Sequence, residues 1–282
     1  GGQFDAVFLT PGIDRTQRRL EQLRRSGTWL GSEMELFFRL CRAPIIGVTG
    51  SSGKTTTTSL IGHLLGAGSK PVWVGGNIGR PLIEDVRSMG EDGWAVVELS
   101  SFQLEFMAHS PHIGVFTNLT PNHLDVHPSF EAYGEAKGRL FAFQQPTDWA
   151  VYNADDDHAA RWAAASMGIP FPFSRRRELP QGAFLRGNRL VVRGVDGAEV
   201  TMADVGDLRI PGRHNVENAL AAIAAAHVAG LPPETVREAL RGFEGVPHRL
   251  ERVAVVDGVT YVNDSIATSP ARTVAALEAF QD

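Results

Sequence analysis

The sequence is short of several things, and each shortage excludes something. Its 282 residues hold one cysteine, Cys41; this rules out an internal disulfide and a cysteine-built zinc site and fits a reducing, cytoplasmic setting. No run of 18 apolar residues occurs, so no stretch has the length and apolarity of a membrane-spanning helix, and the opening residues carry no secretory-signal pattern. Basic charge is not in excess: 27 Lys and Arg face 32 Asp and Glu, a net charge of −5. Nothing is then spare to neutralise a phosphodiester backbone, and nucleic acid is not an expected partner. The arginine-rich stretches 15–25 and 175–177 read as solvated faces. Internal repeats and low-complexity segments are absent too. What remains is a chain that is 43% hydrophobic, enough for a sizeable core in one or two domains, with part of another.

The pattern along the chain alternates strands and helices. "FDAVFLT" (4–10) reads as a strand turned by Pro11-Gly12, residues 15–25 as a helix with Leu20 and Leu23 inward, and "ELFFRLC" (35–41) as a second short helix stopped before Pro44. Strands follow at 45–49, 70–76, 93–100 and 113–119, most of them with helical stretches after them. Strands that are apolar throughout and separated by helices predict a parallel sheet covered on both faces. Residues 151–210 look different, with short strands and the turn-forming "RGN" and "VDG". A long Ala-rich helix, "NVENALAAIAAAHVAG", ends at Gly230 before Pro232 and Pro233. A hairpin about Asp257-Gly258 and a last helix, "PARTVAALEAF", complete the pattern.

The most informative stretch is "IIGVTGSSGKTTTTSL", where a β-branched run enters a glycine loop and then a helix. Gly47, Gly50 and Gly53 let the backbone curl with its amides inward and no Cβ in the way. Backbone N–H groups at a helix start are ready donors to an anion. Lys54 offers a point charge for β- and γ-phosphates, and Thr55 a hydroxyl for a phosphate-bound Mg²⁺. The main-chain amides of Gly50, Ser51, Ser52 and Gly53 are expected to clasp the tail of a nucleoside triphosphate, with Thr56 in the same turn. The spacing G-x-x-G-x-x-G-K-T is a variant, because the strict pattern places glycine where Val48 stands.

Three further stretches bear on the chemistry. "ELSSFQLE" puts Glu98 at the carboxyl end of a buried strand, where open α/β sheets bind ligands; it can hold Mg²⁺ opposite Thr55, and read alone it is equally a helix-start acid. "TNLTPNHLDVH" gathers His123, Asp125 and His127 after another apolar strand. A zinc reading exists, but beside a phosphate loop a hard-metal or substrate role is preferred. "GEAKGRLF" places Lys137 among apolar residues of a helix; alone it reads as a solvated lysine. "WVGGNIGRP" is a glycine-rich strand exit that either approaches a second anion or merely turns.

Together, "GVTGSSGKTTTT", "GGNIG", "ELSSFQLE", "TNLTPNHLDVH", "EAYGEAK", "GRHNVENALAA", "GVPHRLE" and "NDSIATSP" resemble the Mur ligase family, the ATP-dependent amide-forming ligases of peptidoglycan precursor synthesis. The matched stretches span 47 to 270 in the family's order. "ELSSFQLE" and "GGNIG" look most like the members that add D-glutamate to UDP-N-acetylmuramoyl-L-alanine. The resemblance implies an α/β fold: a central P-loop domain with a mostly parallel sheet flanked by helices, and partial Rossmann-like segments at both ends. Residues 1–42 would be the remainder of a UDP-substrate-binding domain, 43–246 the ATP-binding domain and 247–282 the start of a third. It implies ATP and Mg²⁺ as cofactors, one ion held by Thr55 and Glu98 and a second near His123 and Lys137, with Lys137 carbamylated by CO₂. Gly12, Gly76, Asn77, Ser100 and Gln103 match substrate-side positions. Asn215, Asn218, Arg249 and Asp264 match ATP-side positions. The implied enzyme is a cytoplasmic monomer with small-molecule substrates and neither a membrane nor a nucleic acid as partner.

The implied chemistry is attack of the substrate's alanyl carboxylate on the γ-phosphate, then of the D-glutamate amine on the acyl phosphate, with Lys54, Glu98, His123 and Lys137 as the catalytic set and His123 as the suggested base. Two departures stand out. Many relatives carry lysine where this chain has Ile266. The segments at both ends are too small for the domains they would start or finish, so the chain is expected to be a fragment that binds ATP–Mg²⁺ weakly and ligates poorly or not at all. Rival readings are a folylpolyglutamate-type ligase with the same acyl-phosphate chemistry, a P-loop kinase or switch without a ligase step, and a folded but inactive remnant.

Overall fold

The computed structural model describes residues 4–10, 13, 17–79, 81–121, 126–267 and 270–280. A short unit comes first: β1 (Ala6–Phe8), α1 (Arg18–Arg25) and β2 (Trp29–Gly31), with β1 and β2 parallel and Val7 opposite Leu30. The strand expected over 4–10 is thus three residues long, and the helix expected from residue 15 is described from Arg18. Leu20 is buried and Leu23 half-buried. The Pro11-Gly12 turn lies outside the described residues. Helix α2 (Glu33–Leu40) starts at Ser32, whose hydroxyl accepts the Glu35 N–H at 3.1 Å and so satisfies one of the amides a helix start leaves over.

The main body then runs β3 (Ile45–Thr49), α3 (Lys54–Gly66), β4 (Val72–Gly76), β5 (Trp94–Glu98), α4 (Ser101–Leu104), β6 (Ile113–Phe116), α5 (Phe130–Ala142), β7 (Trp149–Asn153), α6 (Asp157–Ala164), β8 (Ile169–Ser174), β9 (Gly182–Arg186), β10 (Arg189–Arg193), β11 (Glu199–Asp204), α7 (Arg213–Val228) and α8 (Pro233–Gly242). Between β4 and β5 there are two short 3₁₀ turns in place of a long helix. The strands form one nine-stranded sheet in the order β11-β10-β9-β8-β7-β6-β3-β5-β4. It is parallel from β4 through β9 and antiparallel at β9-β10-β11. This α/β sheet flanked by helices is the architecture the apolar strands predict.

Pleating sorts the side chains. Val96 and Ile46 join Leu60, Ile61 and Leu64 of α3, Ala219–Ala226 of α7 and Leu240 of α8 on one face. Ala95, Val97 and Ile45 join Phe37 of α2, Leu104 of α4, Phe141 of α5 and Ala159 of α6 on the other. Alternate residues of one strand serve opposite faces, so a strand clad on both sides must be apolar throughout. The alanines of α7 let its backbone lie close to α3 and the sheet.

Residues 151–210, which look different in sequence, belong to this same sheet. Strand β8 has the sequence "IPFPFS", although proline removes a ladder donor. The N–H of Ile169 donates toward β7, to the Asp148 carbonyl at 2.7 Å. Pro170 and Pro172 therefore present their missing donors toward β9, and β9 pairs with β8 only at Phe173 and Ser174. The prolines stand where no partner strand has yet begun.

Beyond α8 come β12 (Glu251–Val256), β13 (Val259–Asn263) and α9 (Pro270–Glu278). The two strands form the expected antiparallel hairpin, and Asp257 and Gly258, at φ 49° and 80°, supply the left-handed pair that a two-residue turn requires. Among the described residues, no helix is long and apolar enough to cross a membrane.

Candidate active site

Strand β3 lies beside β6; the connection after β3 leads through α3 to β4 on one side, and that after β6 leads through α5 to β7 on the other. The crevice beyond the carboxyl ends of these strands is therefore the topological switch point of the sheet. Gly50 and Gly53 shape the loop there, at φ 152° and 81°. A Cβ at Gly50 would lie 1.9 Å from Thr117 Oγ1, and one at Gly53 2.3 Å from Asn218 Oδ1. Backbone angle and close packing both demand glycine.

Residues after β6 grip the loop. The Ser51 N–H donates to the Asn118 carbonyl and the Ser52 N–H to Asn118 Oδ1, both at 2.9 Å. The Ser52 carbonyl accepts from Thr117 Oγ1 at 2.7 Å and Asn118 Nδ2 at 3.1 Å. Ser51 Oγ donates to the Thr120 carbonyl and accepts the Thr120 N–H, each at 2.9 Å. The amides of Ser51 and Ser52 are thus engaged within the protein. Inside α3, Thr57 is the first N–H with a helical acceptor, Gly53 O at 2.9 Å, so the amides of Lys54, Thr55 and Thr56 have none within the helix. Helices α2, α4, α5 and α6 begin with a Ser or Asp side chain as cap, whereas α3 and α7 begin at Gly53 and Gly212 with no side-chain cap. Lys54 folds back over the loop, Nζ lying 2.9 Å from Gly50 O and 3.3 Å from Ser51 O.

Glu98, the last residue of β5, is 2% exposed. Asn77 Nδ2 donates to its Oε1 at 3.0 Å, while its buried Oε2 has no hydrogen-bond partner among the described residues. The Asn77 N–H also meets the Glu98 carbonyl at 2.9 Å. Gly76, at φ 100°, lets the two strand ends approach, since a Cβ there would lie 2.4 Å from Glu98 O. Lys137 is 1% exposed, which removes the bland reading of a solvated lysine. Its Nζ lies 3.3 Å from Thr49 Oγ1 and 4.9 Å from the centre of the Tyr133 ring. Burial, reinforced by the Lys54 charge and opposed by Glu98, holds its pKa well below the usual lysine range.

Of the remaining expected residues, Ser100 and Gln103 bond each other in a capping box at the start of α4, with Ser100 Oγ donating to Gln103 Oε1 at 2.8 Å. Asn218 Oδ1 accepts from Thr57 Oγ1 at 3.3 Å, and Asn218 Nδ2 donates to Asn215 Oδ1 at 3.0 Å, so this pair braces the underside of the loop. Arg249 and Asp264 bear electrostatically on His214 at the start of α7, Arg249 lowering and Asp264 raising its pKa; the dominant effect there is burial, which lowers it. Ile266 is 41% exposed. Gly12 and His123 lie outside the described residues. His127 stacks on Phe102 and bonds Ser101 Oγ at 3.0 Å; no cluster of three or more His, Cys, Asp or Glu suited to a metal occurs among the described residues. Sequence reasoning passed over Thr49, Thr117, Asn118 and Tyr133. The signals were a hydroxyl- and amide-rich "TNLT" directly after a buried strand, and the i, i+4 spacing of Tyr133 and Lys137 on one helix face.

Residues 48–226, more than half of the chain, match the family described as the Mur ligase middle domain. The chain belongs to the Mur ligase family. It is 50% identical over 276 residues to the UDP-N-acetylmuramoylalanine–D-glutamate ligase of Symbiobacterium thermophilum, covering 97% of this chain and 60% of that protein. It is 45% identical over 280 residues to the enzyme of the same name from Acetivibrio thermocellus, covering 99% and 59%. The chain thus spans about 60% of the length of the curated relatives it matches. Two solved structures share the fold. A UDP-N-acetylmuramoyl-L-alanyl-D-glutamate–2,6-diaminopimelate ligase superimposes with a TM-score of 0.69 at 22% identity, covering 94% of this chain and 66% of that one. The UDP-N-acetylmuramate–alanine ligase of Thermotoga maritima gives 0.64 at 24%, covering 98% and 63%.

In this member of the family, the buried Glu98 Oε2, without a hydrogen-bond partner among the described residues, tests whether the residues suit a divalent cation. A desolvated carboxylate oxygen is costly without a positive partner, and Mg²⁺ takes carboxylate and hydroxyl oxygens. Glu98, with the Thr55 hydroxyl at the head of α3, fits that ion. The arrangement offers helix-start amides and a lysine for an anion, a carboxylate for a hard cation, and a desolvated amine.

Proposed function

We propose that this chain carries the ATP-binding and phosphoryl-transfer centre of a ligase that joins D-glutamate to UDP-N-acetylmuramoyl-L-alanine through an acyl phosphate. The observation that carries the reading is the meeting of the Gly50–Lys54 loop after β3, the Glu98 oxygen at the end of β5, which has no partner among the described residues, and the buried Lys137 of α5 against Thr49. A phosphate loop alone serves many reactions; the desolvated lysine beside the carboxylate is what a simple nucleotide switch leaves without use. The relatives' shared name supports the choice of substrates.

The charges dictate the order of events. Two anions must react, the substrate's carboxylate and the γ-phosphate. Lys54 leaves the carbonyls of Gly50 and Ser51 for the phosphate oxygens, and the amides of Lys54, Thr55 and Thr56 receive phosphate at the head of α3. Thr55 and Glu98 would hold Mg²⁺, which supplies further neutralisation of the phosphate charge when bound. Lys137, kept short of protons by burial, uses its nitrogen lone pair to bond the carbon of CO₂. One C–O π bond becomes a carboxylate lone pair, and the nitrogen loses a proton to solvent. The product is an anionic oxygen ligand where an amine stood. The carboxylate of the muramoyl substrate then displaces ADP from the γ-phosphorus, and the D-glutamate amine bonds the acyl carbon as phosphate leaves, its proton passing to a base, the role suggested for His123. Asn77 and Gly76, with Ser100 and Gln103, are assigned to the muramoyl side; Asn215, Asn218, Arg249 and Asp264 to the nucleotide side.

The division at residues 42 and 246, a monomeric state and a cytoplasmic location are parts of the same proposal. Two small sheets, β1-β2 and β12-β13, separate from the nine-stranded one, support a unit at either end, while α2, ahead of residue 42, packs Phe37 into the core of the main sheet. The test is calorimetric titration of the chain with ATP–Mg²⁺, alone and with UDP-N-acetylmuramoyl-L-alanine or a folate. The UDP-sugar is expected to strengthen nucleotide binding and the folate to leave it unchanged; the reverse overturns the substrate assignment.

A further inference from the structure

Tyr133 has no part in the chemistry above, yet it touches both halves of the site. It lies on α5, one turn before Lys137, and is 1% exposed. Its hydroxyl is 3.2 Å from Ser51 Oγ. The direction of that bond follows from counting. A serine hydroxyl has one proton and two lone pairs. Ser51 Oγ gives its proton to the Thr120 carbonyl and takes the Thr120 N–H on one lone pair. Only a lone pair remains, so the phenol is the donor and Ser51 is saturated.

The face of the same ring lies 4.9 Å from Lys137 Nζ, and the ring also rests against His127, 5.2 Å between centres. The same amine meets Thr49 Oγ1, one residue before the loop, and Thr49 Oγ1 is itself fixed by donating to the Leu99 carbonyl at 2.7 Å. Lys137 is thus bounded by the strand end that launches the loop and by a ring whose hydroxyl fastens the loop. The rotamer of a long side chain is otherwise free to vary, and ordering it costs entropy.

We propose that Tyr133 is a positioning residue: its hydroxyl pins Ser51 while its ring seats the Lys137 amine, so that the phosphate loop and the reactive lysine keep one fixed separation. The inference rests on the reading of loop and lysine as one centre, and it adds the part that couples them. It makes the hydroxyl and the ring separable. Tyr133→Phe removes the grip on the loop and keeps the seat; Tyr133→Leu removes both.

The test uses the full chain, with Tyr133→Phe, Tyr133→Leu, Ser51→Ala and the double variant Tyr133→Phe/Ser51→Ala. Amide hydrogen exchange over residues 50–56 without nucleotide reads the grip directly. Titration with ATP–Mg²⁺ reads its consequence. Tyr133→Phe is expected to speed exchange of the loop and to weaken ATP binding about 2–10-fold, the worth of one hydrogen bond, and Ser51→Ala, which also removes both Thr120 bonds, to do at least as much. The double variant is expected to do no more than Ser51→Ala alone, since that substitution already removes the Tyr133 bond together with the two Thr120 bonds. A tyrosine of purely structural use would lower stability and leave nucleotide affinity alone. The seat is read by a second cycle, Tyr133→Leu with Lys137→Met, in the equilibrium constant for urea unfolding, where a coupling of about 2-fold or more is expected for groups in contact. Loop exchange and ATP affinity unchanged in Tyr133→Phe, or losses that multiply in the double variant, would overturn the grip; no coupling between Tyr133→Leu and Lys137→Met would overturn the seat. A chain that binds no ATP yet shows the expected exchange pattern removes the functional reading and upholds Tyr133, whereas tight ATP binding unaffected by Tyr133→Phe does the opposite.

Discussion

The tripeptide Ala-Val-Val occurs in two strands of this molecule and meets two fates. In β5, Ala95, Val96 and Val97 are each 0% exposed. In β12, Val255 is 48% and Val256 52% exposed. Composition is the same, so it does not decide burial. Strand β5 is flanked by β3 and β4 and clad by helices on both faces; β12 has β13 beside it and little above or below. A two-stranded hairpin is marginal without such cover, and the difference teaches that the neighbours of a strand, more than its own residues, set how much each side chain contributes. It also separates two parts of the chain, since the candidate site sits at the crest of the clad strands.

The largest effect that would sharpen this contrast is in binding. Lys54→Ala is expected to weaken ATP–Mg²⁺ about 100-fold, near the upper end of the ~1.5–3 kcal/mol that hydrogen bonds to charged groups carry, as read by calorimetry; retained affinity would break the link between the buried sheet and nucleotide. Next, Val96→Thr puts a hydroxyl among apolar neighbours at constant shape and should cost about 1–3 kcal/mol in urea unfolding. A smaller effect depends on pH. Lys137 gives up its proton well below 10.5 in the folded chain and near 10.4 in the unfolded one. Between those values the unfolded state holds one more proton, so stability rises with pH by up to ~1.4 kcal/mol per unit. Lys137→Met should flatten that rise in bicarbonate-free buffer, and an unchanged slope would return the proton to some other group. Smallest is Val255→Thr in β12, expected to fall within about 0.5 kcal/mol of the parent with ATP affinity unaltered. If it cost as much as Val96→Thr, the comparison between the strands would collapse.

Much of this was legible in the residue order. The run from Ile45 to Thr57 announces strand, loop and helix because only glycine tolerates the geometry at Gly50 and Gly53, and strands apolar at every position announce a sheet covered twice. Asp257-Gly258 announces its turn. What was not legible depends on distant partners. Pro170 and Pro172 argue against a strand until it is known that β9 joins only from Phe173. Lys137 looks like a surface lysine until Thr49 and Tyr133 close over it. The amides of Ser51 and Ser52 look free for an anion until Asn118, from after β6, meets both of them.

The amide of Asn218 fills the space beneath Gly53 that a methyl group would need. The signature segment is therefore a lid without its own base, and the base arrives only when α7 packs home late in the sequence. Transplanted into another protein, residues 45–66 would keep every letter of the motif without the Asn118 and Asn218 contacts that hold it here.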